Sequence, residues 1–142
     1  MDSAKITQLV HHRAAAVSAK DAAAIVASNG PTIVEYNLAP PLRQPSAGRD
    51  PVPLEKWLAT FEGPMSMQVT DLEVTVDGEV AFTTSLNCLT ATPAGSTESF
   101  SLWFRATLGL RKTSGEWQVV HSHESVPFDM DGTFQASINL HP

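Results

Sequence analysis

The hydrophobic pattern of this chain changes period once, near Met67, and that change limits the folds open to it. As far as Phe61 the apolar residues recur mainly at helical spacing, and from Met67 onward they alternate. Strands that follow one another through short turns pair antiparallel. Helices first and such a run of strands afterwards describe an α+β domain, with the helices packed on one side of the sheet. The 142 residues suit one domain, 1–142, and contain no internal repeat.

The first helix is expected over residues 3 to 19, with Ser3 as its N-cap and Ile6, Leu9, Val10, Arg13, Ala14 and Val17 on one stripe. A second runs from Asp21 to Ser28, stopped by Asn29-Gly30-Pro31, and a short strand follows at Thr32–Tyr36. Residues 38 to 53 carry Pro40, Pro41, Pro45, Pro51 and Pro53 and read as a long loop of the kind that makes a lid or rim. A third helix is expected from Leu54 to Phe61, ended by Gly63-Pro64. The parity shift near Thr70-Asp71 predicts a β-bulge, and Asp77-Gly78 predicts a hairpin turn. Strands over 79–92, 97–112 and 117–126 then complete a meander. Long bent strands under helices predict a curved antiparallel sheet that encloses a pocket.

Regular alternation sorts the strand residues into two sets. One holds Phe82, Leu86, Cys88, Phe104, Ala106, Leu108, Leu110, Trp117, Val119, His121 and His123. The other holds Thr83, Ser85, Asn87, Trp103, Arg105, Thr107, Val120, Ser122 and Glu124. A tight turn at Ser114-Gly115 sets residues 105 and 124 opposite each other, in a register that a slip of one residue would invert. Two readings of Arg105 and Glu124 stand: a solvated cross-strand pair worth ~0.2–1 kcal/mol, or groups lining the interior. Arg13 interrupts an apolar stripe, so its guanidinium is either paired, turned to a cavity or carried to the sheet edge. Arg13 with Arg105 would favour an anionic or carbonyl-bearing ligand.

His121-Ser122-His123 puts two imidazoles on one strand face, a spacing that can hold a metal, but the apolar neighbours favour packed or interface histidines and no metal is expected. Tyr36 and Asn37 are either turn residues or pocket rim. No strand-turn-helix nucleophile motif or glycine-rich phosphate loop is present. A net charge of −6 argues against nucleic acid. With no basic-then-apolar leader and no apolar run of the ~20 residues that span a membrane, the chain reads as cytoplasmic and free of membrane.

The runs Ala19-Lys20-Asp21 with Ile25, Val34-Glu35-Tyr36-Asn37-Leu38-Ala39-Pro40-Pro41-Leu42-Arg43, Leu102-Trp103-Phe104-Arg105-Ala106-Thr107 and Gly115–Ser125 resemble the SnoaL-like, ketosteroid isomerase-like branch of the nuclear transport factor 2-like (NTF2-like) superfamily. The resemblance implies a cone-shaped fold of three N-terminal helices on a curved antiparallel sheet. Val120, Ser122 and Glu124, with Trp103, Arg105 and Thr107, would then point inward. Phe82, Phe104, Leu108, His121 and His123 would meet a second copy in a homodimer. The steroid isomerase residues are not kept: the base falls near Asn37, the oxyanion tyrosine near Arg13 and the protonated aspartic acid near Thr107. The chain is therefore expected to be a cofactor-independent isomerase, cyclase or dehydratase of a small carbonyl compound. Glu124 would be the acid/base and Arg105 and Arg13 would stabilise an oxygen. Tyr36, Asn37, Asn87, Trp103, Thr107 and Ser122 would line the ligand. The alternative is a non-catalytic ligand-binding or dimeric assembly domain.

Overall fold

The computed structural model describes residues 1–142. Three helices, α1 (Asp2–Ser18), α2 (Ala22–Val26) and α3 (Val52–Leu58), cover one face of five strands: β1 (Asn29–Tyr36), β2 (Phe61–Asp77), β3 (Val80–Pro93), β4 (Phe100–Thr113) and β5 (Glu116–Ser125). The strand order is β1-β5-β4-β3-β2. β2 to β5 form the expected meander. β1 lies parallel to β5, so the sheet is mixed and open rather than wholly antiparallel. No helix is long and apolar enough to cross a membrane.

Local chemistry explains the element ends. Ser3 does not cap α1; the helix starts one residue earlier without a side-chain cap. Asp2 instead accepts from Trp117 Nε1 (3.2 Å) and pairs with Lys112 Nζ (3.3 Å), which pins the helix start to the β4–β5 hairpin. Asp21 caps α2 by accepting from the Ala24 amide. Gly63-Pro64, expected to end the third helix, lies inside β2. The β2–β3 ladder shifts register between Glu62 and Ser66, so Pro64 sits where its missing N–H interrupts no pair. The second shift, between Thr70 and Glu73, is the expected bulge, with Asp71 at a φ of +54°. The Ser114-Gly115 turn has φ positive at both residues, as a two-residue hairpin requires.

The core has two parts on the covered face. One contains Ile25, Leu58, Met65, Leu89, Ala91 and Phe104. The other contains Ile6, Val10, Ile33, Ala81, Leu110, Trp117 and Val119. Burying each large side chain contributes about 1.5–3 kcal/mol.

A bulge in β5 reorders the faces. Leu110 pairs with Val119 but Gly109 pairs with His121, so Val120 is the extra residue. Trp117 and Val119 point under the helices, then the parity flips, and Ser122 and Glu124 point there too. Ala106 now faces Glu124, and Arg105 faces Ser125. The regular alternation expected from sequence is thus wrong by one residue. Gly109 makes room for the bulge: a Cβ there would lie 3.2 Å from His121 Cβ. Gly109→Val should lower stability by about 1–3 kcal/mol through this overpacking, read as a lower urea midpoint; an unchanged midpoint would show that the ladder yields freely at that point.

Candidate active site

The polar groups on the covered face come from four elements. From α1, Arg13 lies between the two apolar clusters. Its Nη1 donates to Ile25 O (3.1 Å), Ser28 Oγ (2.8 Å) and Asn29 Oδ1 (2.7 Å). Asn29 is itself buried and donates from Nδ2 to Gly48 O at 3.0 Å, so the arginine, the α2–β1 junction and the proline loop are tied together. Nε and Nη2 have no protein partner. No partnerless side-chain nitrogen or oxygen is sealed from solvent in this protein, so these donors keep access to it.

From β1, Glu35 shares the Ile33 side and pairs in register with Ser122. From β5, Glu124 stands two residues further along on the same side. From β3, Thr83, Ser85 and Asn87 project from beside Leu108, Ala106 and Phe104, and Ser85 donates to Asn87 Oδ1 at 2.8 Å.

The charges in this cluster perturb one another. Burial pulls the Arg13 guanidinium below its ordinary range, and the fields of Glu35 and Glu124 partly restore it. Burial raises the Glu35 carboxyl, opposed by Arg13 and by the Asn37 amide. Burial raises the Glu124 carboxyl most, to about 7, against the pull of Arg13 and with a further push from Glu35. Glu124 makes no hydrogen bond and no ion pair, yet it is only partly buried by surface area. Its partnerless oxygens therefore keep contact with solvent, while the surroundings are crowded enough to disfavour the charged form.

Of the residues singled out in the sequence, Glu124, Arg13, Asn87 and Ser122 come together on the covered face. Arg105, Trp103 and Thr107 do not: they project from β4 on the open face, opposite in direction to Phe104, Ala106 and Leu108. The β3–β4 register sets Phe104, not Trp103 or Arg105, beside Asn87, and the bulge in β5 turns Glu124 to the covered face while β4 keeps Arg105 on the open one. There is no Arg105–Glu124 ion pair; the only salt bridge joins Lys112 and Asp2. Tyr36 also turns to the open face, where its ring meets His121 (5.0 Å) and His123 (5.3 Å) edge-on. Asn37 is exposed just past β1, near Glu35. The expected dimer face is split as well, since Phe104 and Leu108 lie under the helices while Phe82, His121 and His123 lie on the open side. His121 Nδ1 is 2.8 Å from Val34 O, and no group of three or more His, Cys, Asp or Glu side chains is placed to hold a metal ion. Surface clefts of about 400 and 690 Å³ lie elsewhere, beside Gly48 and Arg49 and between α2 and α3.

Glu35 is the site residue that sequence reading passed over. Its signal was present: in a strand, Ile33 and Glu35 share a face, which sets a carboxylate on an apolar side.

The SnoaL-like domain family matches residues 6–129. An NTF2-like protein of unknown function from Pseudomonas putida is similar at 30% identity, with 98% of this chain and 95% of that one covered and a TM-score of 0.85. A proposed scytalone dehydratase from Novosphingobium aromaticivorans shares the fold at 12% identity, with 87% and 83% covered and a TM-score of 0.76. A proposed dehydratase of the NTF2-like family from Streptomyces avermitilis does so at 16% identity, with 87% and 95% covered and a TM-score of 0.75. No functionally curated protein matches the sequence. A match over nearly the whole chain, on helices laid across a curved five-stranded sheet, places this protein in the SnoaL-like family of the NTF2-like superfamily.

Proposed function

We propose that the covered face is a cofactor-independent acid–base site for a small, neutral carbonyl compound, with Glu124 as the group that carries the proton. The observation that carries this reading is the Glu124 carboxyl, unbonded, reachable by solvent and raised to about 7. A general base works best when its pKa lies near the working pH, and few carboxyls do.

The chemistry follows from the arrangement. Ionised Glu124 takes a proton from the carbon next to the carbonyl. The C–H electron pair moves toward the carbonyl oxygen, and the free Nε and Nη2 of Arg13 are the donors suited to the charge that develops there. Return of the proton to another carbon completes an isomerisation. Alternatively the enolate pair forms a C=C bond as the C–O bond of a hydroxyl β to the carbonyl breaks, and the proton held by Glu124 goes to the leaving oxygen, which departs as water; this dehydration is the reaction for which two of the structural relatives are named. Arg105 lies away from the site, so one guanidinium faces two carboxyls and no surplus positive charge remains for a carboxylate substrate. Asn87, Ser122 and Ser85 supply neutral hydrogen-bonding groups. The Arg13 bonds to Ile25, Ser28 and Asn29 favour a second reading, in which the cluster serves structure and the domain binds without turnover.

Deuterium uptake separates the two. In D2O the protein should speed α-exchange of small ketones such as cyclohexanone over buffer, and Glu124→Gln should cut that rate by roughly 10²–10⁴-fold while keeping the circular dichroism spectrum. Equal rates in both proteins reject Glu124 as the base.

Stability should move the other way. The folded protein holds the Glu124 proton more tightly than the unfolded chain, whose carboxyl has the model value 4.5. Its contribution to stability is therefore complete below about pH 4.5 and is lost as pH rises through about 7, by ~3 kcal/mol for that shift. Glu35, also raised, adds to the slope. Above pH 7, Glu124→Gln should be more stable than the parent, and urea titrations at pH 5 and pH 8 should show a smaller loss in the variant. A loss of the same size in both would mean that the carboxyl is not held against its charge.

A further inference from the structure

The inward row of β3 runs Ala81, Thr83, Ser85, Asn87, Leu89 and Ala91, and its middle three members are polar. Asn87 is partly buried, but Ser85 is 8% exposed and Thr83 only 1%. A hydroxyl so deeply covered normally finds a partner, because burial without a hydrogen bond costs free energy. Ser85 finds one in Asn87 Oδ1 at 2.8 Å, and Thr70 on the neighbouring strand finds one in Leu86 O at 2.8 Å. The Thr83 hydroxyl has none. No partnerless side-chain oxygen is sealed from solvent, so the trace of exposure that Thr83 keeps lies at Oγ1. A water-sized space therefore touches the hydroxyl of a residue that is otherwise wholly covered, on the face that lies under the helices.

The ladders place this hydroxyl relative to Glu124. On the covered face one rung reads Thr83, Leu108, Ser122 and Glu35, and the next reads Ser85, Ala106 and Glu124. Strands stand about 4.8 Å apart, so β3 and β5 are roughly 9–10 Å apart at the backbone. Between Ser85 and Glu124 that gap is floored by Ala106, whose methyl fills little of it. The β3 row bounds the gap on one side and Glu124 on the other. The row carries no charge, so it offers nothing to hold a carboxylate or a phosphate. A threonine hydroxyl both donates and accepts, which suits another hydroxyl or a carbonyl oxygen.

We propose that Thr83 is a specificity-determining residue that binds a second oxygen of the substrate, so that the molecule taken is a small neutral ring ketone with a hydroxyl or second carbonyl remote from the reacting carbon. The assignment rests on the acid–base reading of the covered face for what happens at the first carbonyl. Glu124 works on the β5 side, beside that carbonyl, and Thr83 holds the far oxygen on the β3 side. A ring ketone that lacks the far oxygen would displace water from the Thr83 hydroxyl and return no bond. A buried hydroxyl selects against such an analogue in this way.

Amide NMR shifts of Ala106 and Ser122, followed while the protein is titrated with cyclohexanone or with 4-hydroxycyclohexanone, test the assignment. The hydroxy ketone should bind about fivefold more tightly, the worth of one neutral hydrogen bond. Thr83→Val should erase that preference and Thr83→Ser should retain it. Thr83→Val should also keep or raise the urea midpoint, because the hydroxyl bonds to nothing in the fold; a fall would show that it serves the fold and would overturn the assignment. Equal affinities in the parent, a preference that survives Thr83→Val, or no shift with either ketone would overturn it too. The result is separable from that of the deuterium test. Glu124→Gln should lose exchange yet keep the preference, and a parent that prefers the hydroxy ketone without exchanging it upholds Thr83 as a binding residue and rejects only the base.

Discussion

The organisation of this protein depends on a guanidinium placed under a sheet. Moving a cation out of water costs several kcal/mol unless polar partners replace the lost hydration. Arg13 finds them on one edge only: Nη1 is saturated by the α2 backbone, Ser28 and Asn29. That edge is structural and joins α1 to the start of β1. The other edge has no protein partner, and the fields of Glu35 and Glu124 offset part of the cost of burial. A lysine could not divide its roles in this way, because an ammonium is a point charge without a fork. The position on α1 between the two apolar clusters follows: the cation interrupts the core at the place where the polar groups of β1, β3 and β5 converge.

The bulge at Val120 is the second device. Trp117 and Val119 belong to the core, and Asp2 holds the Trp117 ring nitrogen from the helix start. With those residues inward, regular alternation would send Ser122 and Glu124 outward. One extra residue reverses this without moving either end of the strand. The same step turns His121 and His123 outward, where they meet Tyr36. A glycine at position 109 is what the crowded side of the bulge requires.

The architecture was largely legible in the sequence, because it rests on signals of one or two residues: the change of period, the Asp77-Gly78 and Ser114-Gly115 turns, the parity break at Asp71. The family resemblance rested on runs spread along the chain. The site was half legible. Arg13 was visible as a charge on an apolar stripe, and Glu124 did prove to face inward. Arg105 and Trp103 were placed beside Glu124 by counting residues across a hairpin, and one bulged residue, which alternation alone does not announce, undid the count. The start of β2 was hidden because Gly63-Pro64 reads locally as a stop and only the long ladder with β3 overrides it. The pairing of β1 with β5 joins residues far apart in the chain, and no short-range pattern encodes it.

The electrostatics of the cluster also bear on its purpose. Two carboxyls that face one cation in a poorly solvated space cannot both ionise without leaving net negative charge there. The least costly resolution keeps a proton on one of them until the solution is near neutral, and the more crowded carboxyl, Glu124, is the one raised to about 7. A purely structural cluster gains nothing from this. Replacing Glu124 by an uncharged side chain of similar volume would relieve the strain and break no hydrogen bond of the helices or the ladder, and the field on Arg13 that it gives up is still supplied by Glu35. A group that opposes stability and holds no part of the fold in place is explained most simply by the proton it can give and take.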